Sequence, residues 1–142
     1  MDTGVLWKQG LDFDGLSAGE QRLSLEGSAD SGGHGAGFGP MELILIGLAG
    51  CTGMDVISIL QKKRQQVTAF AVEAHADRAV EHPKVFTSIH LLYRVTGHGV
   101  EPAAVERAIE LSQSKYCPAY AMLSAAASIT SSHAILEAPE AE

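Results

Sequence analysis

Between Leu43 and Ile59 the chain is apolar on nearly every side of a helix, and glycine interrupts it at positions 47, 50 and 53. A helix with no polar face has to be surrounded, so the pattern predicts burial on all sides. Glycines three residues apart leave one flank bare, and each weakens a helix by about 1 kcal/mol relative to alanine. Close packing against another backbone, in the same or a second subunit, is the expected compensation. Pro40 suits a first helical turn, where its missing N–H is not needed. Gln61-Lys62-Lys63-Arg64 puts cations at the far end, where the helix dipole favours them. The sequence therefore predicts a helix from Pro40 to about Gln66, with Cys51 near its middle.

Short strands are expected on either side. Val5-Leu6-Trp7, Leu11 to Leu16 and Gln21 to Glu26 alternate apolar and polar residues and are separated by Gly10 and by Ser17-Ala18-Gly19. Period-two patterning with glycine punctuation predicts an antiparallel meander with one buried face. A glycine-rich loop, residues 27–39, follows and is expected to border a pocket. It is no phosphate cradle, because Pro40-Met41-Glu42 stands where a P-loop needs Lys-Ser/Thr. Residues 69–78 and 85–96 predict a hairpin, with Phe70, Val72, Ala74 and Ala76 on one face, and Val85, Thr87, Ile89, Leu91, Tyr93 and Val95 on another. Pro102 opens a second helix to about Ser114, with Val105, Ala108, Ile109 and Ser112 on one side. A third helix is expected at 119–128 and a closing strand at 129–137. Strands with interspersed helices, not strict alternation, indicate an α+β fold in one domain, residues 1–142.

The formal net charge of −7 argues against a nucleic-acid partner, since phosphate binding needs a basic surface. The longest apolar stretch, Leu43 to Cys51, is short of the roughly 20 residues that cross a bilayer. Asp2, Lys8, Asp12 and Asp14 do not make a signal peptide. The expectation is a cytoplasmic protein without a membrane partner, in a compartment that keeps thiols reduced.

Only two cysteines are present, Cys51 and Cys117. Buried free cysteine often serves as a small hydrophobe. Reactivity requires the thiolate. With Pro118 at the first helical position, Cys117 is expected at a helix N-cap, where unpaired N–H groups favour negative charge. Helix position alone therefore makes Cys117 the easier thiolate, and Cys51 would need a donor or cation from elsewhere in the fold. Metal binding is not expected, because the histidines (34, 75, 82, 90, 98, 133) are scattered and neither C-x-x-C nor H-E-x-x-H occurs.

The whole chain resembles the OsmC/Ohr family, the osmotically inducible and organic-hydroperoxide-resistance proteins. The resemblance is carried by the Gly-Pro-x-Glu-Leu helix entry, Leu-Ala-Gly-Cys51-Thr and Lys-Tyr-Cys117-Pro118. Asp55 to Lys62 and Ser-Ile-Thr-Ser-Ser near the end are similar to its YhfA-like branch. The resemblance implies an intertwined homodimer, with antiparallel sheets around central cysteine-bearing helices and a pocket at the subunit interface. It also implies that Cys51 attacks a peroxide oxygen and becomes sulfenic acid, and that Cys117 condenses with it. An external dithiol then reopens the disulfide, without a bound cofactor. This reverses the thiolate ranking drawn from helix position. Peroxidase members activate the attacking thiolate with an arginine from the N-terminal strands and a glutamate directly after the helix-entry proline. The residues here are Arg22, the one arginine before Cys51, and Glu42, which stands one place late because Met41 follows Pro40. One residue turns a helical side chain by roughly 100°.

Two functions follow. The first is a thiol peroxidase for small apolar hydroperoxides in oxidative stress, with Cys51, Cys117, Glu42 and Arg22 as site residues. The second is a non-enzymatic dimer that binds a small molecule or senses redox state in an interfacial pocket.

Overall fold

Strands β1 (Thr3–Gln9), β2 (Asp12–Ser17) and β3 (Arg22–Glu26) open the computed structural model, which describes residues 1–141. They pair antiparallel in the order β1-β2-β3, with Trp7 opposite Phe13 and Phe13 opposite Leu25. Gly10 takes φ +49° in the turn between β1 and β2, a conformation that favours glycine. The meander is as the alternation predicts, but its buried face is not: β1 is exposed along its whole length, and Trp7 is 67% exposed.

The chain divides into two compact units, Met1–Ile44 and Leu45–Glu142, and helix α1 (Pro40–Lys62) starts in the first and runs on through the second. In the first unit Glu26 organises the glycine-rich loop. Its carboxylate is buried and accepts the backbone N–H groups of His34, Ala36 and Gly37. The loop and β3 border an apolar cleft of about 400 Å³ lined by Val5, Leu11, Phe13 and Leu25.

In the second unit, β4 (Gln66–Arg78) and β5 (Phe86–His98) form the expected hairpin, and β6 (Ser128–Glu137) completes a sheet in the order β4-β5-β6. β6 runs parallel to β5, so the sheet is mixed. A parallel neighbour needs a crossover. That crossover consists of helix α2 (Pro102–Leu111), a π-helical turn (Ser112–Tyr116) and helix α3 (Pro118–Ser124). Ile89, Leu91, Tyr93 and Val95 are buried, as their alternation predicts. Thr87 and Val85 are exposed instead, and Phe86 is buried. The cause is a register shift at Asp77/Arg78, which moves one end of β5 out of phase. The architecture is α+β.

Helix α1 ends at Lys62, earlier than Gln66. Arg64 sits in the left-handed region at φ +56°, with Arg64 N–H donating to Gln61 O and Gln65 N–H to Leu60 O. This is a Schellman closure in which arginine holds the place usually taken by glycine. Within the single chain the helix is buried on one side. Leu48, Thr52, Gly53, Val56 and Leu60 are buried, whereas Met54 is 74% exposed. Of the three glycines, Gly53 supports a close approach: a Cβ there would lie 3.3 Å from the Val72 side chain of β4. At Gly47 and Gly50 a Cβ would meet nothing within 4 Å. By length and composition the whole of α1 could cross a membrane, which the shorter apolar run did not suggest. One side of it packs on β4 through Gly53.

Candidate functional site

Cys51 is half-buried on α1, one position before the fully buried Thr52. Cys117 is 3% exposed and caps α3, with its backbone extended (φ −82°, ψ 104°) and its Sγ accepting the Tyr120 N–H at 3.3 Å. Pro118 occupies the first helical position, so the cap is the one the sequence predicts. Folding brings Cys51 near enough to Cys117 to perturb its titration, although 66 positions (117 − 51) separate them, and both are free.

The cap does not make Cys117 a thiolate. Burial pushes the Cys117 thiol up to about 11, and the neighbouring Cys51 thiol and the charge of Asp55 act in the same direction. The Tyr120 N–H opposes them but is outweighed. One amide at the end of a seven-residue helix offers less than desolvation removes. Cys117 thus keeps its proton at neutral pH.

A set of buried hydroxyls lies beside the thiols, and sequence reasoning did not identify it. Thr52 Oγ1 is 2.8 Å from both Tyr93 Oη and Ser112 Oγ. Ser112 Oγ donates to Asp55 Oδ2 at 2.9 Å, and Gln113 Nε2 donates to Tyr93 Oη at 3.3 Å. Thr52, Tyr93 and Ser112 are all fully buried. Desolvation raises the Tyr93 phenol and holds it protonated. The legible signal was position: Ser112 and Tyr93 stood on stripes otherwise apolar. Asp55 and Tyr116 also line a cleft of about 260 Å³ with Ser58, Ile59, Lys62 and Leu111.

Arg22 and Glu42 belong to the first unit and make local contacts. Arg22 Nη1 lies 3.6 Å from Asp14 Oδ2 with most of its side chain in solvent. Glu42, the third residue of α1, accepts the Gly39 N–H at 3.1 Å through Oε2. This is the returning half of a capping box. Among the described residues, Asp12, Glu26 and His34 place their ligand atoms within 4.8 Å of one another. Glu26 is already committed to loop amides, and no other such grouping occurs there.

The family model of OsmC-like protein matches residues 33–132. Protein YhfA of Escherichia coli K12 is 41% identical over 138 residues, covering 97% of this chain and 100% of that protein. A hypothetical protein from Aquifex aeolicus superposes with a TM-score of 0.86 at 27% identity, over 97% of each chain. An organic hydroperoxide resistance protein from Legionella pneumophila shares the fold (TM-score 0.69, 14% identity, 94% of this chain and 97% of that one).

Proposed function

This chain belongs to the OsmC-like protein family, and from that premise we propose that it is a thiol peroxidase for organic hydroperoxides. The observation that carries the reading is that Cys51 lies near enough to Cys117 to perturb its titration. The half-buried Cys51 thiolate attacks the outer peroxide oxygen. The O–O bond breaks, the departing alkoxide takes up the proton that the Cys51 thiol released and leaves as an alcohol, and Cys51 becomes sulfenic acid. Cys117 then attacks the Cys51 sulfur and expels water, forming a disulfide that an external dithiol reduces in the cytoplasm. A proton held on Cys117 keeps that thiol from competing for peroxide in the first step, which supports its role as the resolving partner. The apolar residues that flank Cys51 along α1 suit a greasy substrate.

Exposed apolar residues on α1, with open space at Gly47 and Gly50, support a homodimer in which a second copy covers the helix. The fold is also shared with the organic hydroperoxide resistance protein from Legionella pneumophila. Arg22 and Glu42 are the candidates for activating Cys51.

The test is consumption of cumene hydroperoxide by pure protein with a dithiol. Wild type turns over, Cys51→Ser does not, and Cys117→Ser accumulates sulfenic acid after one addition. No turnover by the wild type with any dithiol overturns the reading. The second reading, a small-molecule-binding or redox-sensing dimer, draws on the local engagement of Glu42 with Gly39. A retained ligand in native mass spectrometry, with peroxide-inert thiols, selects it.

A further inference from the structure

Proton counting fixes the direction of the buried hydroxyl chain. An ionised carboxylate only accepts, and each hydroxyl has one proton to give. Ser112 donates to Asp55, so it must accept from Thr52. Thr52 has then spent its proton and must accept from Tyr93, whose oxygen in turn accepts from the Gln113 amide. The chain runs one way, from Gln113 through Tyr93, Thr52 and Ser112 to Asp55, with no choice at any link.

Its placement relates the two thiols. Thr52 is next to Cys51 on α1, and Asp55 is one turn further along the same helix. Ser112 begins the π-helical turn, and its carbonyl accepts the Cys117 N–H at 2.8 Å, closing the turn on the second cysteine. One residue, Ser112, therefore holds α1 with its side chain and Cys117 with its backbone. Tyr93 anchors the arrangement to the central strand of the sheet. π-Helical turns are uncommon and concentrate at functional sites.

We propose that Thr52, Ser112 and Asp55, anchored by Tyr93, are positioning residues that hold Cys117 in register with Cys51 for disulfide formation. The inference deepens the peroxidase reading and rests on it for biological purpose, but it can be tested without any hydroperoxide. In an equilibrium with glutathione, the Cys51–Cys117 bond forms as the glutathione disulfide breaks. Two protein sulfurs are oxidised, two glutathione sulfurs are reduced, and the two thiol protons pass to glutathione.

The experiment measures that equilibrium constant by mass spectrometry for the full chain and its variants, with folding checked by circular dichroism. Thr52→Val keeps the shape and deletes the hydroxyl, and the expected result is a fall of at least about fivefold, the factor carried by one ordinary hydrogen bond. Thr52→Ser, which restores the hydroxyl, is expected to stay within about twofold of wild type by the same reasoning. A smaller fall in Thr52→Val overturns the inference, and so does an equal fall in Thr52→Ser, which would assign the effect to packing. Should Thr52→Val not fold, Ser112→Ala is read against the same threshold. A wild type that forms no intramolecular disulfide with glutathione also overturns it. Absence of peroxide turnover with a normal glutathione equilibrium sinks only the peroxidase reading.

Discussion

Thr52→Val also makes a stability prediction whose size follows from the direction of the hydroxyl chain. The substitution removes two hydrogen bonds of 2.8 Å at a fully buried position. Each such bond contributes about 1 kcal/mol net, and a buried donor left without an acceptor costs about 1–3 kcal/mol more. The orphaned donor is the Tyr93 hydroxyl, whose other neighbour, Gln113, only donates to it. The expected loss is about 3 kcal/mol. Tyr93→Phe should cost only about 1 kcal/mol, because Thr52 still gives its proton to Ser112 and the partly exposed Gln113 amide can turn to water.

The double variant contains no orphaned donor, so it should be no less stable than Thr52→Val alone. The pair is then coupled, with a sum that exceeds the whole by about 1 kcal/mol or more. Urea unfolding followed by circular dichroism, with equal slopes across the four proteins, measures all three differences. If Tyr93→Phe costs as much as Thr52→Val, or if the two losses simply add, the assigned direction of donation is wrong.

Other expectations follow from single groups. Cys117 should resist iodoacetamide in folded protein at neutral pH and react as the pH nears about 11. Below pH 9.0 the thiol is protonated in both folded and unfolded chains; above it the unfolded chain ionises first, so stability should fall between pH 9.0 and about 11. Loop amides hold the Glu26 carboxyl below its ordinary 4.5, the His34 N–H foremost, so its contribution is complete above that value and is lost as pH falls through the lowered one. A fall in hydrogen-exchange protection factors at the His34, Ala36 and Gly37 amides on acidification is the measurement, and unchanged protection would refute it. Glu42→Ala should cost roughly 0.5–1 kcal/mol in urea unfolding, and Glu42→Gln less, since the amide oxygen can still accept from Gly39.

Much of the fold was legible because period-two alternation and Gly/Pro punctuation act locally. The three N-terminal strands, the hairpin, the proline-initiated helices and the closing strand all follow from such signals. The departures have nonlocal or unusual causes. A register shift at Asp77/Arg78 changed which residues of β5 face inward, and an alternation count cannot see a bulge. Arg64 ended α1 without the glycine that normally announces a left-handed closure. The parallel pairing of β6 depends on where the crossover returns, which no residue in the strand encodes.

At the thiols, sequence located the N-cap of Cys117 but not its burial, and burial decides whether the proton stays. The hydroxyl chain joins positions 52, 55, 93, 112 and 113, so its meaning exists only after folding. A serine among Val105, Ala108 and Ile109 was the visible trace of it. Arg22 and Glu42 illustrate the reverse case, in which a motif suggested chemistry and the side chains also have ordinary local partners in Asp14 and Gly39.

The crossover that carries Cys117 lies between two strands that must become neighbours, β5 and β6. During synthesis β6 emerges after both cysteines, and until it docks, the segment holding Cys117 is tethered at one end only. Docking of β6 is therefore the step that fixes both ends of the segment carrying Cys117.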